Sequence, residues 1–297
     1  MPESVKTLFT VFPFAVLAGI AIAATCAALG VFVILKRVVF IGITLAEAAA
    51  CGIAAAMACH INPFAGATAC TLATVAILSY PFEARRIPRD AVLGTLFVLA
   101  SSLSILLVSR SSFGLQEVRA ILYGDLILTS ERDLWIVLGA LLPVLAYVLL
   151  FLRPTLYSFL DREGSVVLGL RVAMWELLFF FALGVAVSAA SKVAGSLLVF
   201  CYLVVAPSVG LVLSRRLGAV LAISMLTATA ATMIGLLWSL EYDLPANQTV
   251  AVVLCICLAA ACVGARMAAR RVRRNASAAC VPATPTQARA GARARAD

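Results

Sequence analysis

The chain has 297 residues and a formal net charge of +9, with 64% of its residues hydrophobic and only 12% charged. A soluble domain carries about a quarter charged residues to meet water, so this composition excludes an ordinary water-soluble globule. The apolar residues also fall in long runs, and crossing a hydrocarbon core takes roughly 20 apolar residues in a helix that satisfies its own backbone polar groups.

In chain order, Met1–Thr10 lacks the basic segment, short apolar core and small-residue cleavage site of a removable leader. Spans are predicted at Phe12–Leu35, Val38–Cys59, Pro63–Phe82, Ala91–Ser109, Leu134–Leu152, Val172–Ala190, Val193–Ser214, Leu217–Leu240 and Gln248–Ala265. The expected fold is all-α: a polytopic integral membrane protein with eight or nine transmembrane helices. Residues 1–270 form the membrane domain. Residues 271–297, rich in Ala, Pro, Thr and Arg without apolar periodicity, read as a disordered, basic cytoplasmic tail. The cysteines lie mostly inside apolar spans, where a free thiol behaves as a small hydrophobe, so no disulfide framework is expected.

Basic residues alternate between connections. Lys36/Arg37, Arg85–Arg89, Arg153–Arg171, Arg215/Arg216 and the tail from Arg266 hold most of the 23 Lys and Arg, whereas His60–Pro63, Ser191/Lys192 and Glu241–Asn247 are poor in them. Cytoplasmic loops retain such residues during insertion. The first set is therefore expected inside and the N-terminus outside. The positive charge reads as topology rather than as nucleic-acid binding.

Three segments carry chemistry. Val39–Ala56 holds Glu47, the clear case of a carboxylate at bilayer depth, and an ionised group there faces a water-filled route or a partner. Glu47 is the expected contact for a cation in transit, with Thr44 beside it. His60, at the outer end of the same helix, is too far to share an ion with Glu47, about 20 Å along a continuous helix, and reads as an interfacial residue. The second segment, Phe113–Ser130, is too polar for a simple span and includes Asp125, expected in a cap or turn. The third, Ala194–Arg216, carries Gly195 near its start and Pro207 within it, an expected helix kink. Glu176, close to the inner end of its span, is expected at the interface or paired with an Arg.

Together these segments resemble the permease family of bacterial ATP-binding-cassette importers for zinc, manganese and iron. The resemblance rests on the glycine-containing helix around Glu47, on Gly124–Ser130, on Gly195, Leu197, Leu198, Val199, Leu203, Val204, Val205 and Pro207, and on Asp243–Pro245. It implies a homodimeric permease in the bacterial inner membrane moving a divalent metal ion. Two cytoplasmic ATPase subunits and an extracytoplasmic metal-binding protein would be its partners. It further implies that Phe159, Asp161, Arg162, Glu163, Gly164 and Gly169 form the loop that docks the ATPase. This chain shows no phosphate-binding loop of its own, so no cofactor is expected on it and ATP is used by the partner. The family's Asp and His, four residues apart, correspond here to Ile43 and Glu47, which leaves Glu47 as the candidate metal contact. A secondary transporter driven by an ion gradient is the alternative. An intramembrane enzyme would need a catalytic set that the spans lack, and a membrane-bound assembly factor is the remaining class.

Overall fold

The computed structural model describes residues 10, 12–78, 89–110, 124, 126–160, 164 and 171–279. Its helices are α1 (Pro13–Leu35), α2 (Val39–Ala58), α3 (Pro63–Leu78), α4 (Arg89–Arg110), α5 (Glu131–Leu150), α6 (Leu152–Leu160), α7 (Val172–Leu213), α8 (Leu217–Tyr242) and α9 (Ala246–Ala279), with one 3₁₀ turn at Leu126–Leu128. No strand occurs among the described residues.

Local chemistry sets several of the ends. Pro13 occupies the first turn of α1, where its missing N–H costs nothing. Ser130 caps α5 by accepting the Asp133 N–H at 3.3 Å, and Glu131 and Asp133 place negative charge against the positive end of the helix dipole. α8 stops at Asp243, whose left-handed φ of 53° turns the chain toward α9.

The 42-residue α7 is two antiparallel arms rather than one rod. The Phe179 ring lies 5.9 Å from that of Phe32, while the Leu203 carbonyl presses on Gly30, two residues earlier on α1. A straight helix would separate Phe179 from Leu203 by about 36 Å, so the chain must double back. Its departure from helical dihedrals falls at Gly195, with φ 72° and ψ 163°, a region essentially reserved for glycine. The two separate spans expected on either side of Ser191/Lys192 are these two arms, α7a before Gly195 and α7b after it. The break expected in this region thus lies at Gly195, while Pro207 sits within helical backbone.

Among the described residues six helices are long and apolar enough to cross a membrane, with α7 among them; Pro63–Leu78 and Ala91–Leu107 are shorter apolar helices. With the arms of α7 taken separately, the described residues supply nine apolar helical segments, in keeping with the expected number. α7 is the structural bridge: α1 packs against α5, α7 and α8, and α2 packs against α3, α4 and α7. Between them lies a core rich in small residues, including Ala18, Ala23, Ala27, Ala28, Ala46 and Ala49. Lipid is as apolar as leucine, so helices in a bilayer gain by close packing rather than by escaping water, and small side chains permit that approach. Leu106, Trp135, Leu150 and Leu226 point outward, as residues facing lipid should.

The two ends of the bundle match the charge alternation. Lys36, from a connection expected inside, and Glu176, close to the expected inner end of its span, meet at one end. Lys192 and Asp133 pair at the other, where Asn247 Nδ2 also donates to the Ala194 carbonyl at 3.0 Å. α9 continues to Ala279, so helix runs on into the segment from residue 271 that was expected as a tail. A helix already nucleated by the long apolar segment extends at little further cost through Ala and Arg, both good helix formers. Residues 280–297 lie outside the described residues.

Candidate functional site

Glu47 lies about 12 Å along α2 from its inner end and about 16 Å from its outer end. α7b runs antiparallel to this stretch: Gly42 faces Leu203 and Phe200, and Glu47 faces Ser196. The Ser196 hydroxyl donates to Glu47 Oε1 at 3.2 Å. The glycine-only backbone at residue 195 is what brings Ser196, the next residue, to this position. Glu47 Oε2 is closed off from solvent and has no hydrogen-bond partner among the described residues. A carboxylate held on one oxygen and open on the other can accept a passing cation, and its charged form at this depth costs about 3 kcal/mol or more without one.

Thr44 does not join this pair. Its side chain is fully buried, and its hydroxyl shares its one proton between the Phe40 carbonyl at 2.9 Å and the Leu93 carbonyl at 3.3 Å. Thr44 thus fastens α2 to α4. Cys51, one turn beyond Glu47, is buried with a free thiol. His60 ends α2 in a left-handed turn, φ 56°, with its N–H on the Met57 carbonyl; it is exposed and shapes the α2–α3 connection. No group of three His, Cys, Asp or Glu capable of holding a metal occurs among the described residues.

Pro207 has a specific consequence. Lacking an N–H, it leaves the carbonyl of Leu203, its i−4 partner, without the usual helical bond. That carbonyl is directed at Gly30, so closely that a Cβ there would lie 2.2 Å from its oxygen. α1 and α7b therefore touch backbone to backbone. Deeper in the same packing, Thr232 Oγ1 donates to the Ala228 carbonyl at 2.8 Å, which leaves the Tyr202 hydroxyl as donor to Thr232.

At the inner end, α6 covers part of the loop expected to dock the ATPase. Arg153 and Tyr157 are exposed, one turn apart. Phe159 turns inward, its ring 4.9 Å from Phe179 and 6.4 Å from Phe32 in edge-on contacts. It anchors α6 to the bundle. Gly164 is half-buried; Asp161, Arg162, Glu163 and Gly169, like Asp125, lie outside the described residues. Glu176 pairs with Lys36 at 2.9 Å, not with an Arg. Sequence reasoning missed Ser196 and Lys36. A hydroxyl directly after a glycine break was the available signal for Ser196, and for Lys36 there was only a lysine at a span end, which ordinarily reaches water.

A polytopic helical bundle with a carboxylate in a mid-depth seam between helices is the organisation of a membrane transport protein. The chain belongs to the ABC 3 transport family, whose model matches residues 9–265. It is 27% identical over 239 residues to the manganese transport system membrane protein MntC of Halalkalibacterium halodurans, covering 80% of this chain and 82% of that one. It is 26% identical over 224 residues to the manganese import system permease protein ScaB of Streptococcus parasanguinis, covering 75% and 79%. Its fold matches PsaBC from Streptococcus pneumoniae, solved in complex with Fab, with a TM-score of 0.78 at 21% identity, over 88% of this chain and 94% of that one. The chain is accordingly a multi-pass membrane permease of the ABC class, and this membership does not favour a gradient-driven carrier.

Proposed function

We propose that the chain is the membrane-spanning subunit of an importer in the bacterial inner membrane that moves a divalent metal ion, manganese before iron or zinc. A separate cytoplasmic ATPase powers it, an extracytoplasmic binding protein delivers the ion, and two copies of the chain form the working unit. Support for manganese comes from relatives named as manganese permeases. The observation that carries the transport reading is the half-satisfied Glu47 carboxylate between α2 and α7b, held by Ser196.

Glu47 contacts the ion as it crosses. Ser196 keeps the carboxylate turned into the seam, and the closely packed α1 and α7b form one wall. A single carboxylate binds weakly enough to release the ion onward, which a conducting site requires. Radioactive manganese uptake by the reconstituted complex tests this. Glu47→Gln should lower ATP-dependent uptake at least tenfold while expression and assembly are kept. Manganese uptake unchanged in that variant removes Glu47 from the route, and uptake that persists without ATP refutes the ABC mechanism.

A further inference from the structure

Lys36 occupies an unusual place for a lysine at the end of a membrane span. Instead of reaching water, its side chain is only 10% exposed and its ammonium meets Glu176, itself 20% exposed, at 2.9 Å. The same ammonium lies 4.4 Å from the centre of the Phe159 ring and 4.6 Å from that of Phe180. Phe159 in turn packs edge-on against Phe179 and Phe32. One cation thus holds together three elements: the end of α1, the anchor residue of α6 and the inner turn of α7a.

Taking two charges from water is costly, and well-packed apolar residues at such positions are often as stable or more so. What a buried ion pair with two aromatic faces supplies is a fixed relative placement of the parts it joins. α1 then leaves this junction and, six residues away, packs without clearance on the Leu203 carbonyl of α7b. α7b is the arm that presents Ser196 to Glu47.

We infer that Lys36 is a positioning residue that joins α6 mechanically to the transport seam, so that force applied at α6 moves α1 and α7b together. The inference rests on the reading, implied by the family resemblance, that the ATPase docks at the loop from Phe159 to Gly169, which begins on α6. Displacement of α6 draws on Phe159, the Lys36–Glu176 pair carries that displacement into α1 and α7a, and the Gly30–Leu203 contact delivers it to the arm beside Glu47. Rigid packing of this kind passes movement because the contacts have no slack.

The test uses the full complex with its ATPase in liposomes and measures manganese uptake, ATP hydrolysis and assembly together. Lys36→Met alone would strand Glu176, so the neutral pair Lys36→Met/Glu176→Gln is the main variant, with Phe159→Leu as a second. Tyr157→Cys in each background reports docking through thiol crosslinking to the ATPase. The expected result is normal crosslinking and ATP hydrolysis within twofold of the parent, with manganese moved per ATP hydrolysed reduced at least fivefold. Normal crosslinking with an unchanged ratio overturns the inference and leaves the docking reading standing. Hydrolysis and uptake falling in parallel mark the pair as merely structural and also overturn it. No crosslink from Tyr157→Cys in the parent background overturns the docking reading, and the inference with it.

Discussion

Replacing Gly30 with alanine places a methyl carbon 2.2 Å from the Leu203 carbonyl oxygen and 2.7 Å from Pro207 Cγ. Close carbon–oxygen contacts between packed helices settle at about 3.3 Å, so α1 and α7b must part by about 1 Å along this line. Neither obstacle can rotate away, because one is backbone and the other a closed ring. Overfilling a packed interior costs about 1–3 kcal/mol, and this site belongs at the upper end. Thermal unfolding of the detergent-purified protein, followed by intrinsic fluorescence, should show a clear fall in midpoint. Gly94→Ala and Gly139→Ala are the controls, since nothing lies within 4 Å of an added Cβ at either position. Alanine favours a helix over glycine by about 1 kcal/mol, so these two should be neutral or slightly stabilising. An unchanged midpoint for Gly30→Ala, or an equal fall in all three, refutes the backbone contact between α1 and α7b.

Gly195→Ala should be worse for transport than for the rest of the molecule: the φ of 72° strains any L side chain, at a cost of about 1–3 kcal/mol, and Ser196 would swing away from Glu47. Uptake at wild-type level with an unaltered melting midpoint would contradict the turn placed at Gly195. For sidedness, the native Cys59, exposed beside His60, should react with a membrane-impermeant maleimide applied to intact cells depleted of their outer barrier. A thiol introduced by Arg216→Cys should react only after the membrane is opened, and the reverse pattern would invert the topology.

How much of this was legible beforehand differs residue by residue. The beginning and end of α1 and α2 lie within a residue of the expected spans, and the two arms of α7 appear where two separate spans were expected. Gly195 and Pro207 were recognisable as irregular positions. Their division of labour was not: Gly195 reverses the chain, and Pro207 frees a carbonyl that α1 then covers. Glu47 stood out because a carboxylate amid apolar residues is conspicuous, but its hydroxyl partner is 149 residues away in sequence. Phe159 was expected in the docking loop from its place in a motif, and its packing against Phe32 and Phe179 had no signal in the sequence.

The sequence by itself determined that this chain lives in a bilayer and roughly where it crosses, and it set which connections are expected to face the cytoplasm. Those properties are local sums: the hydropathy of a stretch decides insertion, and the basic residues beside it decide its sense. Which face of each helix meets another helix was decided only by the tertiary structure. In water an apolar stripe marks the inward side, but a helix surrounded by lipid is apolar all round, so that stripe is missing. Contacts such as Ser196 on Glu47, Leu203 on Gly30 and Lys36 within its aromatic and acidic partners depend on backbone clearance and side-chain fit between distant segments. They come into being only when the bundle closes.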